Sequence, residues 1–418
     1  MMKAVIMAGG RGTRISQVAS DIPKPMIQIC GKPVLEREIE CLRNQGYKNL
    51  IITVNHLAHV IQNYFGDGSR FGVKISYYLE EKPLGNAGAL FELKDFLDDD
   101  FLLLNADALF DVDFKRFEDF HRKHGGLATL FTHPNSHPYD SGLVFCNYES
   151  QVTKWLSKED DRPRWYKNRV NAGLHIMSPK LLKTRPSTEK VDLDRQILKP
   201  LAGSGVLYCY DSSEYVKDIG TPDRLTKAEK DYNDGIVEAK RLSNKQKAFF
   251  LDRDGTINKY VGFLKKEDDL ELLPGTCDAI KRINDSGYLA IVVTNQPVIA
   301  RGEVTIPQLT EIHAKLETLL GECGAYLDAI YYCPHHPDKG FDGEIPELKI
   351  DCQCRKPKPG LLLKAAEDFN IDLSSSWMIG DSDSDVKAGQ FAGCKTVLLN
   401  NGLTLHDVVE KVLSGVLI

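Results

Sequence analysis

The chain has 418 residues, 42% of them hydrophobic, and a formal net charge of -6. That length exceeds one ordinary core and predicts two domains, and the hydrophobic content excludes a disordered chain. The acidic balance disfavours nucleic acid as a partner, and no apolar run approaches the ~20 residues of a membrane helix.

Residues 3–8 read as a short apolar strand ending in glycines. The run Ala4-Val5-Ile6-Met7 stops too early for a signal peptide, so a cytoplasmic protein is expected. Helical periodicity covers 33–46, and strands follow at 50–54, 75–79 and 101–104, an alternation that predicts a parallel α/β sheet. The stretches 127–132, 142–146 and 206–210 look strand-like and more antiparallel. From Pro222 to about Lys245 the sequence is helical and polar, a terminal helix running into a linker. A second α/β unit then begins, with strands at 248–251, 289–293, 329–332, 377–379 and 396–399. The expected domains are therefore 1–232 and 247–418, joined by a helical linker at 233–246.

Chemistry is concentrated at strand ends. Gly9, Gly10 and Gly12 follow the first strand, where bare backbone N–H groups can approach phosphate oxygens. Arg11 and Arg14 add positive charge, and Lys24 sits between two prolines that hold it extended. The spacing matches neither the dinucleotide fingerprint nor a Walker A loop. In the second half, Asp252 ends an apolar strand, Asp254 lies two residues on, and Gly255-Thr256 turns the chain. This pattern suits a nucleophile, Asp252, and a general acid–base, Asp254. A dianionic ester facing two carboxylates needs a cation, and Asp381 can complete a Mg²⁺ site with them. Thr294 can hydrogen-bond the phosphoryl group and Lys356 can offset its charge.

Ten cysteines are present. Cys333, His335, Cys352 and Cys354 form a spacing suited to a closed, structural Cys₃His zinc site, with His336 as the competing neighbour and a disulfide as the competing reading. Cys323 lacks a paired spacing and is expected to be buried, and the scattered cysteines, such as Cys30 and Cys146, are expected to be ordinary buried thiols. The carboxylates of Asp113, Asp119 and Asp140, and the imidazoles of His133, His137 and His175, are expected to be structural or solvated.

Residues 1 to about 230 resemble the sugar-1-phosphate nucleotidyltransferase family. The resemblance is carried by residues 9–14, Pro23-Lys24-Pro25, Leu84-Gly85-Asn86-Ala87-Gly88-Ala89, Asn105-Ala106-Asp107, Asn171-Ala172-Gly173 and Asp218-Ile219-Gly220-Thr221-Pro222. It implies a Rossmann-like (GT-A-like) mixed sheet with helices on both faces. It also implies that Arg14 and Lys24 neutralise a triphosphate while Asp107 and Asp218 hold Mg²⁺. Gly9, Gly10, Arg11, Gly12, Thr13, Glu80, Gly85, Lys158 and Asn171 would surround the substrates, with Glu80 and Glu81 near the base. Ser157 replaces a family glutamate that binds sugar, and Ala106 replaces a commoner glycine.

Residues 247 to 418 resemble the haloacid dehalogenase-like phosphatases, in particular the heptose bisphosphate phosphatase branch, with histidinol phosphatase a near relative. The matched stretches are residues 250–258, Thr294-Asn295-Gln296 with Ala300-Arg301-Gly302, residues 355–360 and the four zinc-site residues, while Pro297-Val298 departs from the usual Ser-Gly. This implies a Rossmannoid domain, and the 41 residues between Asp252 and Thr294 leave no room for a large cap. Asn295, Arg301 and Arg355 join Thr294 and Lys356 as expected substrate contacts.

Together the resemblances imply a bifunctional enzyme of nucleotide-activated heptose synthesis, with GTP and heptose phosphates as substrates. The same activities on mannose or glucose 1-phosphate, and a nucleotide-sugar-binding regulatory protein, are the alternatives. A homo-oligomer is compatible with either.

Overall fold

The computed structural model describes residues 2–10, 22–400 and 402–416, so Arg11, Gly12, Thr13 and Arg14 lie outside the described residues. The chain forms two compact units. The first comprises Met1–His133, Val144–Trp155 and Asn171–Arg241, and the second Pro134–Leu143, Leu156–Val170 and Leu242–Ile418. The sequence suggests a contiguous division at 233–246, whereas here two internal segments group with the second unit. Within that unit, Tyr166 N donates to Thr318 Oγ1 at 2.9 Å, and buried Arg169 pairs with Glu317 at 3.2 Å.

The first unit is built on β1 (Lys3–Met7), α1 (Val34–Asn44), β2 (Asn49–Val54), β3 (Lys74–Leu79), β4 (Phe101–Asn105), β5 (Ala108–Asp111), β6 (Ala128–His133), β7 (Leu143–Cys146), β8 (Val152–Leu156), β9 (Val170–Met177), β10 (Leu207–Asp211), β11 (Tyr215–Asp218) and α2 (Pro222–Asn233). The main sheet runs β8-β7-β9-β4-β1-β2-β3, with β6 beside β9 and β10 beside β6. β1 is central and parallel to both β2 and β4. Because alternate side chains face opposite ways, Ala4 and Ile6 pack with Leu35, Ile39 and Leu42 of α1, while Val5 joins Leu90 and Leu103 on the other face. The mixed sheet with two packed faces agrees with the expected fold class. The stretch after 127 is only partly antiparallel: β9 runs against β4, but β10 runs parallel to β6.

The terminal helix is shorter than its periodicity predicts. α2 ends near Asn233, Gly235 takes a left-handed φ of 73°, and a short helix Ile236–Ala239 follows. Ile236 and Val237, in the expected linker, are buried with Ile29, Val34 and Tyr215.

The second unit contains β12 (Lys247–Leu251), α3 (Thr276–Asn284), β13 (Tyr288–Asn295), α4 (Ile306–Glu322), β14 (Ala329–Cys333), α5 (Gly360–Phe369), β15 (Trp377–Gly380), α6 (Asp383–Ala392) and β16 (Lys395–Leu398). Its five strands are all parallel, in the order β14-β13-β12-β15-β16. Phe249 and Leu251 pack on Ile280, Ile312 and Leu316, and Phe250 packs on Leu361 and Leu362 across the sheet. Such double burial accounts for the near-continuous apolar strands. It also places Asp252, Thr294 and Asp381 together at the carboxyl ends of adjacent strands.

Two pairs of cysteines correct the expectation of scattered thiols. Cys146 is disulfide-bonded to Cys209 and Cys277 to Cys323, with Cα atoms 6.9 and 6.2 Å apart. Their sequence separations of 63 and 46 residues carry no spacing signal. Cys30, Cys41 and Cys394 remain thiols. Asp113 caps the helix Phe114–His124, Asp119 pairs with Lys115, and Asp140 with His137. His175 is buried against Asn171 Oδ1 at 3.1 Å.

Candidate functional sites

In the first unit, β1 runs out at Gly9-Gly10 on the edge of a cavity of about 610 Å³. Its lining includes Lys24, Asn55, Glu80, Gly85, Asn86, Asn105, Asp107, Lys190 and Gly220. A Cβ on Gly9 would stand 3.0 Å from Glu80 Oε1, so the loop lies closely against that acid. Glu80 accepts from Leu84 N at 3.2 Å, and burial holds its carboxyl above the usual range. Gly85, at φ 86°, passes so close to Val191 that a side chain would overlap its backbone.

Lys24 is ion-paired to Asp107 at the cavity wall. Asp218 ends β11 opposite Ala108 of β5, which sets it beside Asp107 across an antiparallel pair. It accepts from Gly220 N at 2.9 Å and pairs with Arg224 at 2.6 Å. Each carboxylate thus has its own cation, Lys24 on Asp107 and Arg224 on Asp218, and carboxylates of this kind suit a hard divalent cation that also binds phosphate oxygens. Asn171 and Lys158 do not line this cavity. Asn171 turns to Gly173 N and His175, and Lys158 belongs to the segment that groups with the second unit. Lys190, absent from every motif, supplies a lining cation in a position that only the folded chain reveals.

In the second unit, Asp252 Oδ1 meets Lys356 Nζ at 2.7 Å. Lys356 also pairs with Asp385 at 2.6 Å and donates to Val293 O at 2.8 Å. Burial pushes the Asp252 carboxyl up to about 6, against the opposing pull of Lys356. Burial and Asp385 likewise raise Asp381. Gly255, at φ 84°, leaves no room for a Cβ beside the Asp381 carboxylate.

The carboxylates that converge are Asp252, Asp381 and Asp385, whose oxygens lie within 4.8 Å of one another. This set differs from the expected trio, in which Asp254 stood in place of Asp385, because the side chain of Asp254 is held elsewhere. Arg253 Nη2 donates to it at 2.7 and 3.0 Å, Asn258 at 3.0 Å and Gln296 at 3.1 Å. Burial would raise the Asp254 carboxyl, but Arg253 and these hydrogen bonds bring it below the usual range. Asp385 follows Asp381 by four residues, on the first turn of α6, so a helical turn carries it back to the strand end. Its carboxylate also caps α6 through Ser382.

Thr294 is buried and accepts from Gln296 at 2.9 Å. Asn295, expected to touch substrate, instead exchanges hydrogen bonds of 3.0 Å with the backbone of Lys356 and so sets that lysine's loop. Arg355 donates to His335 O at 3.2 Å. The Arg301 guanidinium is sandwiched between the rings of Phe263 and Phe341, at 4.1 and 4.4 Å.

Cys333, at the end of β14, meets His335, Cys352 and Cys354 in a tight cluster. The sulfurs lie 3.2–3.4 Å apart, and His335 Nδ1 is 3.3 Å from Cys354. Three sulfurs and one imidazole converging this closely fit a single tetrahedral zinc ion. His336 is not in the cluster and lies 3.3 Å from Arg301 instead.

A nucleotidyl transferase family model matches residues 3–235, and a HAD-hydrolase-like model matches residues 353–415. The chain belongs to the nucleotidyl transferase family in its first half and to the heptose-1,7-bisphosphate 7-phosphatase family in its second. One relative is D-glycero-beta-D-manno-heptose-1,7-bisphosphate 7-phosphatase of Pasteurella multocida. It is 41% identical over 168 residues, covering 40% of this chain and 88% of the relative. Another is UTP–glucose-1-phosphate uridylyltransferase of a Synechocystis species, 35% identical over 234 residues, covering 52% of this chain and 60% of that one. A glucose-1-phosphate thymidylyltransferase structure from Bacillus anthracis matches with a TM-score of 0.50 at 20% identity, covering 55% of this chain and 94% of that one, and shows the fold of the first half. The protein is thus an enzyme with two activities, nucleotidyl transfer and phosphomonoester hydrolysis. Among the described residues no helix is long and apolar enough to cross a membrane.

Proposed function

We propose that the second half hydrolyses the 7-phosphate of D-glycero-D-manno-heptose 1,7-bisphosphate and that the first half then transfers GMP from GTP to the remaining 1-phosphate, releasing pyrophosphate. The observation that carries the phosphatase reading is the buried Asp252 at a strand end, paired with Lys356 and flanked by Asp381 and Asp385. Asp252 attacks phosphorus, and the P–O bond to the sugar breaks as Asp254, whose carboxyl Arg253 holds low, takes the proton of the monoanionic phosphate ester and passes it to the leaving oxygen. Asp254 then takes a proton from water, which attacks the aspartyl-phosphate and frees Asp252. Mg²⁺ held by Asp252, Asp381 and Asp385 would neutralise the phosphoryl oxygens. Zinc at Cys333, His335, Cys352 and Cys354 would be structural and would fix the adjacent Arg355 and Lys356. In the first half, Lys24 and Arg14 would neutralise the triphosphate, and Asp107 with Asp218 would hold Mg²⁺.

This order follows from the chemistry: removal of the distal phosphate leaves the anomeric phosphate as the nucleophile. A second reading, uridylyl transfer to a sugar 1-phosphate, is favoured by the 35% identity to the Synechocystis uridylyltransferase. The test supplies the heptose bisphosphate, Mg²⁺ and each nucleoside triphosphate separately, and measures phosphate and pyrophosphate. Phosphate release without nucleotide, then pyrophosphate with GTP alone, is the expected result. Pyrophosphate with UTP instead would overturn the base assignment, and no phosphate from the heptose ester would overturn the sugar.

A further inference from the structure

Arg253 lies between the two aspartates of the phosphatase motif and is fully buried. Each edge of its guanidinium is occupied. Nε and Nη2 hold Asp254, at 3.2, 3.0 and 2.7 Å, and Nη2 also reaches Gln296 Oε1 at 3.1 Å. Nη1 points the other way, to Nε2 of His313 on α4, at 3.2 Å. A buried guanidinium keeps one orientation only while acceptors meet its N–H groups, since an unmet buried donor drives rearrangement.

His313 is itself buried, 60 residues from Arg253, and has no part in the chemistry proposed above. Burial, reinforced by Arg253, pushes its imidazole down to about 3, so the ring is neutral and Nε2 is free to accept. Among the described residues Nη1 has no other acceptor.

We propose that His313 is a positioning residue for phosphoryl transfer: by accepting from Arg253 Nη1 it fixes the guanidinium whose opposite edge aims the Asp254 carboxylate. The proposal rests on the phosphatase reading. A proton-transferring carboxylate must stay within hydrogen-bond reach of the leaving oxygen and the attacking water, about 2.6–3.2 Å. Asp254 has no covalent restraint on its rotation, so its aim is set by the groups that hold it. Arg253 makes three of those contacts, and His313 holds the far edge of Arg253.

The test compares the full-length protein with His313→Leu and His313→Gln, on heptose 1,7-bisphosphate and on p-nitrophenyl phosphate, with Mg²⁺. Leucine fills the space without an acceptor, whereas the glutamine amide oxygen can occupy the place of Nε2. For His313→Leu, kcat on the sugar phosphate should fall about tenfold or more, with KM within about twofold of wild type. The loss should be smaller on p-nitrophenyl phosphate, because nitrophenolate leaves without a proton. His313→Gln should recover most of kcat. Equal losses in both variants, a change confined to KM, or wild-type kcat in His313→Leu would each overturn the positioning role. If His313→Leu fails to fold by circular dichroism, His313→Asn, whose amide oxygen falls short of Nη1, is read in its place with the same expectations. Wild-type activity on the nitrophenyl ester but not on the heptose ester would remove the substrate assignment and leave the positioning test intact. No activity on either ester would overturn the phosphatase reading and this role with it.

Discussion

Replacing Lys356 with methionine keeps the length and volume of the side chain but removes the charge on which the phosphatase floor depends. Its Nζ lies 2.7 Å from Asp252 and 2.6 Å from Asp385, and the three side chains are 2%, 12% and 1% exposed. Without the lysine, two buried carboxylates face each other with no counter-charge. Breaking a buried pair in this way costs about 3–5 kcal/mol. A ceiling comes from protonating one carboxyl of ordinary acidity instead, about 5 kcal/mol at pH 7.5 and about 1.5 kcal/mol at pH 5. The sign follows from the folded-state carboxyl of the variant lying above its unfolded value. Its stability therefore holds below the unfolded pKa and is lost as pH rises. Urea unfolding of Lys356→Met at the two pH values, followed through the transition of the second unit, should show a large deficit at pH 7.5 that shrinks toward pH 5. Millimolar Mg²⁺ should restore part of it, and phosphate release should be abolished. A variant as stable as wild type at pH 7.5, or a deficit that ignores pH, would refute the argument that Lys356 compensates these two acids.

The zinc assignment predicts about one zinc per chain by elemental analysis and its loss in Cys352→Ser, because four protein ligands leave no spare donor. Stripping the metal should destabilise the second unit by an amount on the order of 10 kcal/mol; metal-free protein that melts and hydrolyses phosphate like untreated protein would rule out a structural role. His175, in the first unit, is pushed down to about 3 by burial alone. A histidine held neutral in this way contributes stability above its unfolded pKa and loses it as pH falls through 6.5 toward 3. By pH 5 the loss is about 2 kcal/mol, and the difference in urea midpoint between wild type and His175→Gln should narrow over that range. An invariant difference would show that the buried ring is not the titrating group.

The strands and their order of use were legible because they rest on local patterns. Apolar runs such as residues 248–251 and 289–293 are buried on both faces of a parallel sheet, and their periodicity reports it. Asp252, Asp381 and the Cys333–Cys354 set were legible for a related reason, since a strand end or a short spacing marks each, whereas Lys356 stood out through the resemblance of residues 355–360. The polar stretch after Pro222 misled, because the left-handed turn at Gly235 breaks a helical pattern that its neighbours continue.

Taken alone, the amino-acid order determined the α/β class, the presence of two catalytic units and the residue types each one carries. Those features depend on contacts within a strand, a turn or a helix. Tertiary structure decided which groups meet. It turned Asp254 onto Arg253 and brought Asp385 beside Asp252 and Asp381, put Lys190 on the wall of the first unit's cavity and drew Leu156–Val170 into the second unit. It also joined Cys277 to Cys323 and set His313 behind Arg253. Each of these depends on packing between elements tens of residues apart, where one helical turn or a buried charge seeking a partner redirects a side chain without leaving a periodic trace in the sequence.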